Sequence, residues 1–543
     1  MTIFSNPKVI LTILILVGFA LSTFKINQVP PGVSHDELEY INNGYSIYQT
    51  GRDLYGSFLP ISIGGVGYVA IPAYFAGLST YLFGLDEWSA RLFPIIFSLI
   101  EIYLIYGIAK ILFKSDRIAL AAAFILTTST WGLLVSRVML DSTTALFLYM
   151  LGIYLFLKAK SIKLLIIGLI TICLGTLSYY GALFIAPFII TLLIIHRFKL
   201  IQTKKHYFFL YALIVLLITG FILGIMLFQP GQNTRSLGRS NELIIFNNEE
   251  ITNRVVFDRS RSTGSELATN LLINKFTIVW KWFFVNYFQA FSPQMIFVEG
   301  DSNANYGLWG RGELGVLDFP LFLLGLFYLY RKNKNSLKFV GAVILVAPLT
   351  SGLTGTVYAT RAFLMWPFMM IVAGSGILAL WDWVRSANKI NFRAVFFVLF
   401  WVIYLCFFTT KLHQYYYRYP IYSKEAWFDS EKQLAHYLMD RPDEKITVYS
   451  LEGREMFMEY LFYSKFDPAL AQKALLNNDV TRVDITLNNT RFIDGCFDPG
   501  QDSFDHKIIV HTHCTPLDIK LADEVIKTQD GDNRVKWAIY TPK

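Results

Sequence analysis

Apolar runs of about 20 residues recur along the first three-quarters of the chain, and no other feature constrains its fold as strongly. ILTILILVGFALSTF, FPIIFSLIEIYLIYGIAKILF and FLYALIVLLITGFILGIMLF are three of them. In hydrocarbon every main-chain N–H and C=O needs an internal partner, so such runs fold as spanning helices. The chain therefore reads as an α-helical polytopic membrane protein. Composition agrees: 54% of its residues are hydrophobic and 16% charged, against about 25% charged in soluble domains. The net charge of +8 does not point to nucleic acid, because the Lys and Arg residues sit in short loops between spans.

Hydropathy predicts about 11 spans, near 8–26, 90–112, 118–136, 141–157, 163–179, 180–196, 206–228, 316–330, 338–357, 361–382 and 394–412. No small-x-small site follows the first, which reads as a retained anchor. Loops carrying Lys114 and Arg117, Lys158 to Lys163, Arg197 to Lys205, Arg331 to Lys338 and Arg385 to Arg393 alternate with loops carrying only Arg137 or Arg361. The positive-inside rule then makes the N-terminus cytoplasmic. It puts loops 27–89 and 229–315 and the tail 413–543 outside the plasma membrane. Val66–Leu85 is long enough to span; broken near Pro72, it reads instead as a helix at the outer interface. Residues 1–412 form the membrane domain and 413–543 a small α/β domain, with strands expected at Lys445–Ser450, Thr481–Leu487 and His506–Cys514. Cys496 and Cys514, on two strands expected to be neighbours, would pair as a disulfide in an oxidising compartment. His506, His511 and His513 beside Cys514 read less well as metal ligands, since no second Cys pair stands at zinc-ribbon spacing.

Directly after the first span comes PPGVSHDELEYINNGYSIYQTG. Ser34 and Glu37 make a capping box, Asp36 suits the positive end of a helix, and Gly51 suits its C′ position. Leu38, Ile41, Tyr45 and Tyr48 would share one face. The capping box explains Glu37 but does not require Asp36. Further charges fall on the same outer side. Arg91 and Arg361 stand at span ends, and Arg137 and Asp141 stand i,i+4, where they could simply pair. Snorkelling accounts for single arginines, but not for acids and arginines gathering on one side. Asp53, in a Gly-bracketed turn, and Asp301 are the other acids of the outer loops. GGVG (Gly64–Gly67) reads as a turn, not a phosphate cradle. The five arginines Arg235, Arg239, Arg254, Arg259 and Arg261 read as a solvated loop, with recruitment of anionic lipid or substrate as the alternative.

Acids and guanidiniums at an outer membrane surface suit transfer of a sugar from a lipid phosphate. A carboxylate takes the acceptor's proton, and cations stabilise the departing phosphate. No G-x-x-x-x-G-K-[ST] is present, and none is needed when the sugar–phosphate bond supplies the drive.

Four stretches resemble the type-C glycosyltransferase superfamily, in its protein O-mannosyltransferase and aminoarabinose transferase branch. HDELEYINNGYSIYQTGRDLYGSFLP is similar to that family's acidic motif. SRVMLDSTTALF resembles its Ser-Arg…Leu-Asp turn, with one residue fewer between Arg and Asp. NYFQAFSPQMIFVEGDSNANYGLWGRGELGVLDFPLFLLGL (Asn286–Leu326) resembles a bacterial pattern of aromatic-Ser-Pro, Gly-Asp and Gly-x-Leu. TRAFLMWPFMMIVAGSG resembles the Arg…Pro start of a late span. The resemblance, over residues 8–412, implies an inverting glycosyltransferase of the cell envelope that uses a polyprenyl-phosphate-linked sugar. Asp36 would be the base with Glu37 beside it, Arg137, Arg361 and Arg91 the donor-phosphate contacts, and Asp141 a supporting acid. The acceptor would be a hydroxyl of a protein, a lipid or a glycan, and the tail would cover the acceptor's path. No cofactor is expected. A divalent ion on Asp36 and Glu37 is disfavoured, because neighbours on a helix point about 100° apart. A transporter or flippase of lipid-linked sugars is the alternative, but it calls for internal repeats and midplane polar groups; a membrane scaffold displaying the tail leaves the outer charges unexplained.

Overall fold

The computed structural model describes residues 6–64, 67–202, 205–228, 247–386, 390–476, 484–498, 505–514 and 517–542. Arg235 and Arg239 lie outside them. Two compact units emerge. The first holds Met1–Ser22, Ile96–Ser136 and Asp141–Lys411; the second holds Thr23–Ile95, Arg137–Leu140 and Leu412–Lys543. The tail boundary falls beside the drop in hydropathy. Hydropathy does not reveal that residues 23–95 and 137–140 group with the tail.

The first unit is helical. Among the described residues, five helices of the chain are long and apolar enough to cross a membrane: Glu87–Phe113, Lys205–Gly224, Lys334–Leu353, Met365–Ser386 and Arg393–Tyr422; three shorter apolar helices are Pro7–Thr23, Ile162–Thr176 and Ala182–His196. The span expected over 118–136 is two helices, Asp116–Thr128 and Thr130–Val135. Ser129 separates them in an extended conformation, and its hydroxyl accepts the Gly132 N–H at 3.0 Å. The segment read as a solvated loop holds the helix Asn248–Ser260, capped by Asn247, whose side chain accepts the Glu250 N–H at 3.1 Å. Its arginines are spent locally: Arg254 pairs with Asp258 at 3.1 Å, Arg259 donates to the Ile273 carbonyl, and Arg261 lies over Phe257.

The second unit is built on two sheets. A short hairpin pairs β1 (Ser62–Ile63) with β2 (Tyr68–Val69). A six-stranded sheet combines β3 (Ile446–Ser450), β4 (Asp484–Leu487), β5 (Thr490–Asp494), β6 (Lys507–His511), β7 (Glu524–Lys527) and β8 (Val535–Tyr540) in the order β4-β5-β3-β6-β8-β7. β3 is buried along its whole length and parallel to both neighbours, as a strand covered on both faces must be. Cys496 and Cys514 are bonded, but not across neighbouring strands: β3 lies between β5 and β6, and Cys514 ends a 3-10 turn.

The helix His35–Thr50 lies between two partners. On one side Gly44 meets Gly77 of the helix Ile71–Phe83, where a Cβ on Gly44 would stand 2.0 Å from the Ala73 carbonyl oxygen. On the other, Asn42 donates to the Met458 carbonyl at 2.9 Å on the helix Gly453–Tyr463. Ile71–Phe83 has 13 residues, about 20 Å of helix, which is short of a bilayer core of about 30 Å.

Candidate functional site

The site is built around the first turn of His35–Thr50, within the second unit. Ser34 is extended at the N-cap. Its N–H donates to Glu37 Oε2 at 3.1 Å and its hydroxyl accepts the Glu37 N–H, completing the capping box. Gly51 closes the helix in the left-handed region at φ 73°.

Glu37 is fully buried. Its Oε1 accepts the Met139 N–H at 2.9 Å and lies 3.8 Å from Arg91 Nε. Burial raises its pKa, opposed by the Arg91 charge and the Met139 and Ser34 bonds. Glu37 therefore ties three chain segments together.

Asp36 differs from its neighbour. It is partly exposed, stands in the first helical turn, where the helix dipole favours a negative charge, and its Oδ1 accepts the Tyr68 hydroxyl at 2.6 Å. Tyr68 comes from β2, and its partner β1 is pinned at its end by Asp53, whose Oδ2 accepts the Gly64 N–H at 2.7 Å; of the expected Gly64–Gly67 turn, residues 65 and 66 lie outside the described residues. Asp53 thus anchors β1, the strand paired with the one that carries Tyr68. Partly exposed, Asp36 can take a proton from an approaching hydroxyl; Glu37 is sealed off from one.

Arg91 and Arg137 are buried, and their donors are turned to main-chain carbonyls. Arg91 donates to Ile26 at 3.3 Å, Pro30 at 3.4 Å and also Gly32. Arg137 donates to Val29 at 2.8 Å and to Phe24, with its guanidinium 5.0 Å from the Tyr416 ring. Together they fasten residues 24–32, the segment leading into the acidic helix. Snorkelling assumes an exposed guanidinium, which neither has. Arg137 and Asp141 do not share a helical face either: Arg137 lies past the end of Thr130–Val135, whereas Asp141 begins the helix Asp141–Lys158 and accepts the Ser142 N–H.

The tail supplies the other wall of this unit. Glu455 lies 3.6 Å from His35, and Arg454 pairs with the buried Glu39 and donates to Tyr55 at 2.8 Å. Glu459, on the same tail helix, is buried with neither carboxyl oxygen hydrogen-bonded. Burial, then the Glu431 and Glu87 charges, raises its pKa well above 4.5, with Lys432 opposing. A raised carboxyl pKa stabilises the fold fully below the unfolded value, and that contribution is lost as pH rises through the folded value. Glu459→Gln is expected to leave the melting temperature unchanged at pH 4 and to raise it by roughly 5 °C at pH 8. Melting curves at both pH values check this; an offset independent of pH would mean a charged native Glu459.

Residues 70–223 match the family of dolichyl-phosphate-mannose-protein mannosyltransferases. ArnT from Cupriavidus metallidurans in its apo state superposes with a TM-score of 0.53 at 10% identity, covering 97% of each chain. The same enzyme bound to undecaprenyl phosphate gives 0.53 at 11% identity and 97% coverage of both. The chain has a type-C glycosyltransferase fold. Comparison with curated protein sequences gives no match.

Within this fold, the first unit carries the remaining residues. Arg361 is partly exposed, donates to the Thr356 carbonyl at 2.6 Å and lies over Tyr358. Asp301 and Glu313 are buried. Burial raises Asp301 to about 6, and raises Glu313 well above its usual range with the Asp301 charge adding. One further carboxyl is missed by hydropathy. Glu101, inside Leu92–Phe113, is 4% exposed and lines a cavity of about 20 Å³ with Gly18, Ser22, Ser98, Thr127 and Ser136. Its signal was a lone acid in an apolar run, which in a membrane warrants a functional reading.

Proposed function

We propose that the protein is an inverting glycosyltransferase that moves a sugar from a polyprenyl-phosphate donor to a hydroxyl acceptor at the outer face of the plasma membrane. The observation that carries it is the unequal pair at the head of one capped helix: Glu37 sealed and bonded, Asp36 open and aligned by Tyr68. Asp36 takes the acceptor's proton while the acceptor oxygen bonds to the sugar's C1 and the C1–O bond to phosphate breaks. The lipid phosphate leaves with the electron pair. The family match and the likeness to an ArnT structure holding undecaprenyl phosphate support this donor class.

Glu37, Arg91 and Arg137 act here as positioning residues. Arg361, in the first unit, is proposed separately as a contact for the leaving phosphate, because it is the partly exposed guanidinium among the three arginines. Asp141 keeps a supporting role at the head of its helix. The lysine and arginine bias of the alternate loops supports a cytoplasmic N-terminus and an outer tail. The test is purified protein with a short-chain polyprenyl-phosphate sugar, read as transfer or slow hydrolysis; release of neither sugar nor lipid phosphate across hydroxyl acceptors would refute the activity. A single cysteine at position 36 should react with an impermeant thiol reagent in intact cells, and reaction only after permeabilisation would reverse the orientation.

A further inference from the structure

The loop between the π-helical turn Gln294–Val298 and the helix Asp318–Lys332 carries two buried carboxylates that the transfer reaction does not use. They are close: the Asp301 N–H donates to Glu313 Oε1 at 3.0 Å. Asp301 Oδ1 accepts the Asn303 N–H at 2.8 Å, and Asn303 Oδ1 accepts the Asn305 N–H at 2.9 Å. The Tyr306 and Gly307 N–H groups close the turn on the Asn303 carbonyl, both at 2.9 Å. Gly307 passes so near that a Cβ there would stand 2.3 Å from the Asp301 carbonyl oxygen.

Two side-chain oxygens in this loop are buried and accept no hydrogen bond: Glu313 Oε2 and Asn305 Oδ1. Glu313 itself is 0% exposed. An ionised carboxylate taken out of water without a donor is costly, and each orphaned acceptor adds to the penalty. The Arg361 charge acts on Asp301, but neither orphaned oxygen accepts a hydrogen bond from it.

The spacing supplies the second observation. DSNANYGLWGRGE puts Asp, Asn and Asn at alternate positions, then Gly, then Glu after five residues. That is the order of ligands in a calcium loop, D-x-[DN]-x-[DN]-G-x5-E, with Tyr306 inserted before the glycine. The likeness is confined to the loop, which follows a π-helical turn where an EF-hand has a helix.

We propose that this loop binds one hard divalent cation of the calcium class through oxygens of Asp301, Asn305 and Glu313. Carboxylate and amide oxygens favour calcium or magnesium over soft metals. The ion meets both orphaned oxygens and offsets the paired negative charge. Because Asp301 Oδ2 accepts the Ala359 N–H, it also fastens the loop to the turn Ala359–Ala362.

The test uses the full-length protein in lipid nanodiscs, stripped with EDTA and titrated with CaCl2 or MgCl2 by calorimetry and by melting temperature. The expected result is one saturable equivalent of calcium, a melting temperature that rises with its concentration, and at least tenfold weaker binding in Glu313→Gln. If that variant does not fold, Asn305→Ala takes its place with the same tenfold criterion. No saturable calcium or magnesium binding in the wild type overturns the proposal, as does binding by zinc alone or binding unchanged in the variant. Activity is not the readout, so failure here leaves the assignment of Asp36 untouched.

Discussion

Asp36→Asn is expected to abolish sugar transfer while leaving the protein folded. The side chain is partly exposed and accepts the Tyr68 hydroxyl, a bond an asparagine amide oxygen also accepts. The helix start does not depend on it, because the cap is closed by Ser34 and Glu37. What asparagine cannot do is take a proton. General bases contribute about 10²–10⁴-fold, so kcat should fall by about three orders of magnitude with a melting temperature within about 1 °C of wild type. Tyr68→Phe should cost far less, about tenfold, since it removes an aligning bond and leaves the base. Turnover of purified Asp36→Asn with a polyprenyl-phosphate sugar checks the prediction, and wild-type kcat would remove Asp36 from the chemistry.

The capped start of that helix was legible because its determinants are local. Ser34, Glu37 and Gly51 act within a few residues of one another, and each stands in the role its spacing implies. The apolar face was legible only in part. Leu38 and Ile41 are buried, but so are Asn42, Asn43 and Ser46, while Tyr45 and Tyr48 are only half-buried. The helix has two partners rather than one, and the second comes from the tail, more than 400 residues away. No periodicity announces a pairing at that distance, such as Glu39 with Arg454. Three strands were expected and each is found: β3 and β6 hold buried apolar runs, and Thr481–Leu487 covers the alternating β4, with residues 481–483 outside the described residues. β5 and β7 were missed because polar residues interrupt them, and β8 was missed although its last four residues, Trp537–Tyr540, form a buried run. Charge counting placed Arg91 and Arg137 on the outer side but could not say where their donors point. A buried arginine that clamps carbonyls has the same sequence signature as one waiting for phosphate.

Arg91→Met separates those two roles, and its expected result is loss of the fold. The arginine is 1% exposed, and its guanidinium satisfies carbonyls of Ile26, Pro30 and Gly32 while lying 3.8 Å from Glu37 and 3.9 Å from Glu87. Methionine fills part of the volume but strands those acceptors and leaves the sealed Glu37 without its counter-charge. Removing one member of a buried ion pair costs about 3–5 kcal/mol, a large share of the roughly 5–15 kcal/mol that holds a domain together. Arg91→Lys should recover little, because a single ammonium cannot replace a planar fork bonded on several sides. Adding Glu37→Gln to Arg91→Met should recover part of the loss, since the uncompensated charge is then gone; that coupling is the mark of a positioning pair. A phosphate contact predicts the opposite pattern, with a melting temperature near wild type and a barrier raised by about 3 kcal/mol. Melting temperature and kcat measured on the two single variants and the double variant decide between them. An Arg91→Met protein that melts with wild type yet turns over a hundredfold more slowly would return this arginine to the departing phosphate.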